Sequence, residues 1–324
     1  MTGVSQQPAP LASFKKIRSM KILVATEKPF APAAVEQIRE VTEAAGHELV
    51  LLEKYSDASE LHAAVADADA LIVRSDKVTA SVVEAAKNLK IVVRAGAGYD
   101  NLDLDACTAK GVVAMNTPGQ NSNAVAELVF QMMLYNARNG FKGKAGTELR
   151  GKSIGIHAFG WVGKNVARIA RGFEMNLFGF DPFADESEMR DAGVEPCGSA
   201  EELYSKCQYI SLHIPANEKT VKSVNRQLLM SMPAGATLVN TARKEVIDED
   251  GLVDVMKERD DFSYLSDIAP DNRALLEENF PGRFIFTDKK MGAQTKEANI
   301  NAGVAAARQI ADFFATGNEQ YRVN

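Results

Sequence analysis

From Met20 onward, short apolar runs rich in β-branched residues alternate with stretches of helical periodicity. The runs are continuously apolar, which is typical of parallel strands covered by helices on both faces. The predicted strands of a first set are residues 21–26, 48–53, 70–74, 90–96 and 112–116, and those of a second set are 153–158, 176–181, 209–214, 236–242, 263–268 and 284–287. This pattern predicts an α/β fold with two doubly wound parallel sheets.

A long amphipathic segment separates the two sets of strands. Residues 121–139 predict a helix capped by Asn121 or Ser122, and a glycine-rich hinge follows at 140–146. A chain of 324 residues is long for one hydrophobic core and natural for two. The last helical segment, 295–316, comes after the second sheet is complete, so we expect it to return to the first domain.

The composition limits the classes of function. A net charge of −6 argues against a protein that wraps nucleic acid or lies on anionic lipid, whereas a small anionic ligand remains compatible with a local basic patch. We expect neither a membrane span nor export, because no apolar run reaches about 18 residues and no secretory signal is present. The three cysteines and the acidic and histidine residues show no metal-like spacing, so we expect no metal. These features predict a cytoplasmic protein, and residues 1–19 are compatible with either an organellar transit peptide or a flexible extension.

A glycine motif follows the first strand of the second set. Residues 158–163 read Ala-Phe-Gly-Trp-Val-Gly before a predicted helix at 164–173, which is Gly-x-Gly-x-x-Gly with Ala158 in the first place. In this motif the second glycine lets the backbone approach a pyrophosphate, and the third packs the helix against the strand. Gly160 and Gly163 keep these positions. We expect a negative φ at Ala158, because a positive φ strains alanine.

An acidic residue stands where such a motif places the ligand of the adenosine ribose. Asp181 lies 18 positions beyond Gly163, at the end of the next predicted strand. A carboxylate there disfavours a 2′-phosphate, so we expect NAD rather than NADP. The alternatives are a tight structural turn for the glycines alone and a turn-forming residue before Pro182 for Asp181.

Seven stretches occur in order along the chain: Ile-Val-Arg-Ser at 72–75, Arg-Ala-Gly-Ala-Gly-Tyr-Asp-Asn at 94–101, Asn-Thr-Pro-Gly-Gln-Asn-Ser at 116–122, Leu-Arg-Gly-Lys at 149–152, Leu-His-Ile-Pro at 212–215, Asn-Thr-Ala-Arg at 240–243 and Gly-Ala-Gln-Thr at 292–295. Together they resemble the D-isomer-specific 2-hydroxyacid dehydrogenase family, and within it the short form of D-3-phosphoglycerate dehydrogenase. The resemblance covers nearly everything from Met20 to the C-terminus. It implies NAD-dependent oxidation of a D-2-hydroxy acid, foremost 3-phosphoglycerate to 3-phosphohydroxypyruvate in serine biosynthesis. Glyoxylate or hydroxypyruvate reductase and a non-catalytic NAD-sensing protein are the alternatives.

The resemblance also implies how the domains are arranged. A Rossmann nucleotide-binding domain, 119–294, would be inserted into a flavodoxin-like substrate domain built from 20–118 and 295–324, with 1–19 as a flexible extension. The family is usually dimeric through the nucleotide domain, which predicts a homodimer. The apolar face of the helix at 121–139 would contribute to this contact, and burial of that face within its own chain is the alternative. Its members are Val125, Leu128, Val129, Met132 and Met133.

The resemblance assigns most of the binding residues. The predicted NAD-binding residues are Ala158, Phe159, Gly160, Trp161, Val162, Gly163, Asp181, His213, Pro215, Thr220, Thr241, Ala242 and Asp267. The predicted substrate-binding residues are Arg74, Ser75, Ala95, Gly96, Asn121 and Gln294. A phosphate suits Arg74, Ser75 and the helix N-terminus at Asn121.

Two residues are the predicted catalytic groups. Arg243 matches the family arginine that orients the substrate carboxylate. The family acid/base is a histidine two residues before the glycine of the last loop, and that position holds Lys290. The orienting glutamate, five residues after Asp267, would fall on Asn272, with Asp271 beside it. Because a lysine is a base when its pKa is lowered, and because Arg243 and the positive nicotinamide ring would lower it, Lys290 is the candidate base. The alternative is a loop lysine in a site reduced to NAD sensing.

Overall fold

The computed structural model describes residues 18–324, so the predicted extension at 1–19 and its transit-peptide alternative fall almost entirely outside it. The strands pair in parallel in two separate sheets. Helices connect successive strands, and apolar clusters lie on both faces of each sheet. The predicted α/β class with two doubly wound parallel sheets is therefore confirmed.

The first sheet is formed by the N-terminal third of the chain. Its strands are β1 (Lys21–Thr26), β2 (Glu48–Glu53), β3 (Ala70–Val73), β4 (Ile91–Arg94) and β5 (Val113–Asn116), and its helices are α1 (Pro32–Ala44), α2 (Ala58–Val65), α3 (Ala80–Ala85) and α4 (Leu104–Lys110). The strand order is β2-β1-β3-β4-β5, which is the flavodoxin-like order.

Strand β1 shows why the apolar runs are continuous. Leu23 and Ala25 belong to one apolar cluster, and Ile22 and Val24 belong to the cluster on the opposite face, all without exposed surface. Successive side chains of a strand point to opposite faces, so a sheet covered on both sides requires apolar residues at every position.

The second sheet follows the long helix α5 (Ser122–Ala137) and a short 3₁₀ turn at Asn139–Phe141. Its strands are β6 (Ser153–His157), β7 (Asn176–Phe180), β8 (Glu195–Pro196), β9 (Tyr209–Leu212), β10 (Thr237–Asn240), β11 (Ser263–Ser266) and β12 (Phe284–Phe286). Its helices are α6 (Trp161–Gly172), α7 (Glu186–Asp191), α8 (Ala200–Lys206), α9 (Arg226–Ser231), α10 (Glu249–Glu258) and α11 (Arg273–Asn279), with a 3₁₀ turn at Lys244–Val246. The strand order is β12-β11-β10-β9-β6-β7-β8.

The structure differs from the predicted elements at the strand ends and at one edge. Most predicted strands end one or two residues earlier, because the next residues leave the ladder to form turns: Asp181 follows β7, and Arg74 follows β3. Strand β8 was not predicted, since it has only two residues and one of them is Pro196.

Helix α5 corrects two expectations. Val129 and Met133 have no exposed surface and pack with α6 and β6, so the face expected at a subunit interface is buried within its own chain. The predicted side-chain cap is also wrong. Asn121 holds the N-cap position without a cap hydrogen bond, and the Ser122 hydroxyl donates instead to the Gly119 carbonyl oxygen at 2.6 Å. A homodimer remains a prediction.

The last helix, α12 (Lys296–Thr316), packs on the first sheet. Ala306, Ala307 and Ile310 are fully buried in the cluster that contains Ile22 of β1. Both ends of the described chain thus contribute to one core. The domain division at 118/119 and 294/295 remains a prediction. Among residues 18–324, no helix combines the length and apolarity needed to cross a membrane.

The segment after α12 lies along the outer edge of β5. Arg322 forms an antiparallel bridge with Met115, and the Val323 amide donates to the Ala114 carbonyl oxygen at 2.9 Å. The side chain of Asn324 accepts from the Ala114 amide at 2.9 Å and donates to the Val112 carbonyl oxygen at 2.9 Å. These contacts satisfy the backbone groups that the edge strand leaves unpaired.

The packing of α12 predicts that Ile310→Ala destabilises the protein. Removal of a fully buried side chain leaves a cavity, so we expect a loss of about 2–5 kcal/mol in the free energy of unfolding, measured by urea denaturation. The matched control is Arg308→Ala on the exposed face of the same helix, with a change within about 0.5 kcal/mol. Equal midpoints for both variants would contradict the packing.

Candidate active site

Each sheet has one point at which the strand order reverses. It lies between β1 and β3 in the first sheet and between β6 and β9 in the second. Ligands of open α/β sheets bind at such points, outside the carboxyl ends of the strands. A cleft of about 670 Å³ lies at the second point and is also lined by first-sheet residues, and a cavity of about 410 Å³ lies at the first. The candidate site therefore lies between the two sheets.

The turn after β6 contains a strained residue. Ala158 has a φ of 82°, so the expected negative φ is wrong. This left-handed conformation costs about 1–2 kcal/mol for a residue with a Cβ. The Ala158 amide donates to the Phe180 carbonyl oxygen at 2.9 Å, which ties the turn to β7. A Cβ on Gly163 would lie 2.4 Å from the Ala158 carbonyl oxygen, so only glycine allows the helix to pack this closely.

Helix α6 begins with an open N-terminus. Gly160 is its N-cap and supplies no side-chain cap, and a Cβ at Gly160 would meet no heavy atom within 4 Å. The first backbone N–H groups of a helix have no partner within the helix, and they attract anions. Trp161 is 60% exposed, and Val162 lines the larger cleft. This turn has the space and the donors that a pyrophosphate requires.

The carboxylate of Asp181 is fixed beside this turn. It accepts from the Phe159 amide at 2.8 Å and from the Phe183 amide at 2.9 Å. Among residues 18–324, no basic side chain forms a salt bridge with it. Its charge would repel a 2′-phosphate. The Phe159 side chain lies in the core at 1% exposure, so only its backbone borders the motif.

The loops after β9 and β10 form one wall of the larger cleft. Pro215 and Thr241 line it together with His213, whose Nε2 lies 2.9 Å from the Ser211 hydroxyl. Burial lowers the pKa of His213 to about 3, so the ring is neutral. Thr220 is not among the lining residues. Its hydroxyl donates to the Pro215 carbonyl oxygen and accepts from the Asn217 amide, so it stabilises the loop that contains Pro215 without lining the cleft.

A buried asparagine shapes the turn that carries Arg243. The Asn240 side chain accepts from the Ala242 amide at 3.0 Å and donates to the Arg243 carbonyl oxygen at 2.9 Å. Arg243 and Ala242 then line the larger cleft, with the guanidinium exposed and 3.9 Å from the position that a Cβ on Gly98 would take. Sequence reasoning missed the role of Asn240, although it is the first residue of the Asn-Thr-Ala-Arg stretch.

The buried carboxylate of Asp267 organises the loop after β12. It accepts from the Thr287 hydroxyl at 3.1 Å, the Met291 amide at 2.7 Å and the Gly292 amide at 2.8 Å. Asp267 is 2% exposed and does not line the cleft, so it acts on the site through this loop. The loop places Lys290.

Lys290 lies where the two cavities meet, since it lines both. Its Nζ donates to the Ala242 carbonyl oxygen at 3.1 Å. The side chain is exposed to the solvent of the cleft, yet atoms of both sheets crowd around it. The resulting loss of hydration lowers the pKa of Lys290, the charge of Arg243 lowers it further, and Asp267, Glu245 and Asp100 oppose the shift. Lys290 therefore loses its proton more readily than a free lysine.

The resemblance predicts an orienting group at Asn272 or the neighbouring Asp271, and both residues lie away from the cleft. Asp271 pairs with Lys244 at 2.5 Å, and the Asn272 side-chain amide donates to the Glu249 carbonyl oxygen at 3.2 Å. Neither lines the cleft or the smaller cavity that Lys290 borders. No carboxylate therefore orients Lys290 from this position.

The predicted substrate residues divide between the cavities. Arg74, Ser75 and Gln294 line the smaller one, and Asn121 lines the larger cleft. Ala95 and Gly96 line neither. Ala95 is 8% exposed, and the Arg94 guanidinium covers Gly96, where a Cβ would lie 1.5 Å from Nη1.

Two further lysines line the smaller cavity and were missed by sequence reasoning. Lys28 follows the end of β1, and Lys289 precedes Lys290. The position of Lys28 after a strand is the same signal that singled out Arg74. Among the described residues, no group of three or more His, Cys, Asp or Glu side chains is arranged to hold a metal ion.

The sequence and the structure are similar to those of known proteins. Residues 22–324 match the family model of the D-isomer specific 2-hydroxyacid dehydrogenase, catalytic domain. D-3-phosphoglycerate dehydrogenase of Methanocaldococcus jannaschii is 36% identical over 270 residues, which cover 78% of this chain and 51% of that protein. Hydroxypyruvate reductase of Thermotoga maritima is 32% identical over 280 residues, 81% of this chain and 90% of that protein.

A solved structure is also similar. The NAD⁺-bound 3-phosphoglycerate dehydrogenase of Entamoeba histolytica has a TM-score of 0.81 and 47% sequence identity, over 94% of this chain and 99% of that one. The chain spans about half the length of several of the curated phosphoglycerate dehydrogenases it matches.

The role of Asp267 predicts that Asp267→Asn loosens the loop that carries Lys290. The amide cannot accept from all three donors, so backbone amides of Met291 and Gly292 should exchange hydrogen about 10- to 100-fold faster, as measured by hydrogen–deuterium exchange. The control is Asp271→Asn, which changes a carboxylate that does not touch this loop. Unchanged exchange in Asp267→Asn would show that the carboxylate does not hold the loop.

Proposed function

The chain belongs to the D-isomer specific 2-hydroxyacid dehydrogenase family, and on that premise we propose that it oxidises a D-2-hydroxy acid with NAD, with 3-phosphoglycerate as the substrate. The observation that carries this proposal is the place of Lys290 between two cavities. On one side lies Arg243, which suits a carboxylate. On the other lie Arg74 and Ser75, which suit a phosphate. A three-carbon acid with its hydroxyl between these two anionic ends fits that order.

The residues around β6 and β7 fit NAD. Gly160 and the open N-terminus of α6 would hold the pyrophosphate, and Asp181 would accept hydrogen bonds from the ribose diol. Thr241 and the neutral His213 line the part of the cleft that remains for the nicotinamide end. When bound, NAD supplies the acceptor for the hydride that leaves the substrate carbon. Because no basic side chain among residues 18–324 forms a salt bridge with Asp181, its negative charge would repel a 2′-phosphate, which supports NAD over NADP.

Arg243 and Lys290 would bind the substrate and accept its proton, respectively. The Arg243 guanidinium would bind the substrate carboxylate and polarise the oxygen of the developing carbonyl. Neutral Lys290 would take the proton of the substrate hydroxyl at Nζ, since its lowered pKa makes the free amine accessible. A lysine needs no partner to fix a tautomer, which agrees with the displaced Asp271 and Asn272.

Membership of this family also supports the proposed division of the chain into two domains. The substrate domain would comprise 20–118 and 295–324, and the nucleotide domain 119–294. Burial of α12 against β1 supports this division. We also propose a homodimer, whose contacts must lie outside the buried face of α5.

Turnover with a panel of acids tests the proposed function. With NAD, 3-phosphoglycerate should exceed D-glycerate in kcat/KM by about 100-fold or more, because the phosphate adds charge-assisted contacts. The relative named hydroxypyruvate reductase makes the reductase the second candidate. Greater kcat/KM for hydroxypyruvate or glyoxylate with NADH would favour it. NAD binding without any turnover would indicate a sensing protein.

Substitution of Lys290 tests the proposed base. Lys290→Ala should lower kcat by about 10²- to 10⁴-fold, as is typical for loss of a positioned acid/base. NADH affinity should change little, measured by energy transfer from Trp161, the only tryptophan of the chain. The matched variant Lys290→Arg keeps the positive charge and cannot release its proton near neutral pH, so it should be as slow as Lys290→Ala.

The pH profile provides the second measurement for Lys290. Only the neutral amine accepts a proton, so kcat/KM for oxidation should rise with pH through an apparent pKa below that of a free lysine. In Lys290→Ala and Lys290→Arg this rise of kcat/KM with pH should be absent. Wild-type turnover in Lys290→Ala would place the base elsewhere.

A further inference from the structure

Positive charges surround the smaller cavity from both sheets. Lys28 and Arg74 follow β1 and β3 of the first sheet, and Lys289 and Lys290 follow β12 of the second. The cavity holds about 410 Å³. It is thus an electropositive space whose walls belong to two separate sheets.

The acids of this cavity do not neutralise the lysines. Asp76 is 6% exposed, and its carboxylate accepts from the Glu27 amide at 2.7 Å and from the Tyr55 hydroxyl at 2.9 Å. Glu27 is the only other acid in the lining. Within residues 18–324, neither Lys28 nor Lys289 forms a salt bridge. Their charges are available to a ligand.

Arg74 is anchored and supports the loop that carries Lys28. Its Nη1 donates to the carbonyl oxygens of Lys28 and Pro29, both at 3.1 Å, and its Nη2 donates to Asn299 Oδ1 at 2.6 Å. The guanidinium also stacks on Phe30, 5.1 Å from the ring centroid. Three of the five N–H donors of Arg74 are thus used among residues 18–324, which leaves two for a phosphate, and the exposed Lys28 ammonium adds a further charge on this wall.

We propose that Lys28 and Lys289 grip the phosphate of the substrate from opposite sides, so that the phosphate draws the two sheets together around Lys290. This proposal rests on the proposed function and assigns two residues to substrate selection. A phosphate dianion has enough terminal oxygens to accept from both ammonium groups at once. Lysine suits this role because its charge sits on a flexible stem that can follow closure.

In this arrangement the phosphate, which does not react, positions the hydroxyl group, which does. Closure removes water from the cleft and places the hydroxyl beside Lys290 Nζ, so the phosphate should raise kcat as well as lower KM. A phosphate bound from one side only would contribute affinity without closure. The two cases differ in how unphosphorylated D-glycerate responds to added inorganic phosphate.

The test compares Lys28→Met, Lys289→Met and the double variant with the control Lys87→Met, an exposed lysine outside both cavities. Each single variant should lower the ratio of kcat/KM for 3-phosphoglycerate to that for D-glycerate by about 10- to 100-fold, the effect of losing a hydrogen bond to a charged group. The control should keep the wild-type ratio. The double variant should lose less than the product of the two single effects, because each lysine needs the other to bridge.

Inorganic phosphate provides a direct readout of closure. In the wild type it should speed the oxidation of D-glycerate, and in Lys28→Met and Lys289→Met this acceleration should be lost. Equal losses on both substrates, or phosphate acting only as a competitor, would overturn the proposal. If the wild type oxidises neither acid, the proposed function fails. The binding of phosphate by Lys28 and Lys289 is then tested by calorimetric titration with inorganic phosphate. If Lys28→Met and Lys289→Met both bind phosphate as tightly as the wild type does, the proposal is wrong.

Discussion

The parallel direction of the strands is the constraint on which the site depends. In a parallel sheet all carboxyl ends lie along one edge, so residues far apart in sequence meet there. Here two such edges face each other: Lys28 and Arg74 follow strands of the first sheet, and Arg243 and Lys290 follow strands of the second. Because the cavities at the two reversal points share Lys290 in their linings, one ligand can touch both sheets.

In the proposed mechanism a lysine takes the place that the resemblance gives to a histidine, and this changes what the surrounding residues must do. An imidazole needs its ring nitrogen oriented, whereas an ammonium group needs only to be placed and partly dehydrated. Asp267 provides the placement through the backbone of the loop, and crowding in the cleft provides the dehydration. The carboxylate of Glu249 accepts from the backbone amides of Asp271 and Asn272, so these two residues are held against α10 and do not line the cavities beside Lys290.

Much of this architecture could be predicted from the sequence, because its signals are local. Continuous apolar runs indicated the parallel sheets, and strand-end residues such as Arg74 and Asp181 indicated the edge. The errors concern contacts that the pattern of residue types along the chain does not record. Ala158 keeps a positive φ because the turn is tied to β7, and Gly96 is covered because Arg94 folds back over it. Lys28 and Lys289 look like ordinary surface lysines until the two sheets are seen to face each other.

The pairing of Arg322 and Val323 with β5 has a consequence for solution behaviour. An edge strand with free N–H and carbonyl groups can recruit a strand from another molecule, and this is a common route to aggregation. Three of the four residues of β5 are apolar and all four are buried, so its edge would be a strong template if it were uncovered. The segment that follows α12 covers this edge and thereby guards the folded protein against strand exchange. Residues 321–324 line neither cavity of the candidate site, so a protease that removed them would expose this aggregation-prone edge without removing a residue that lines either cavity.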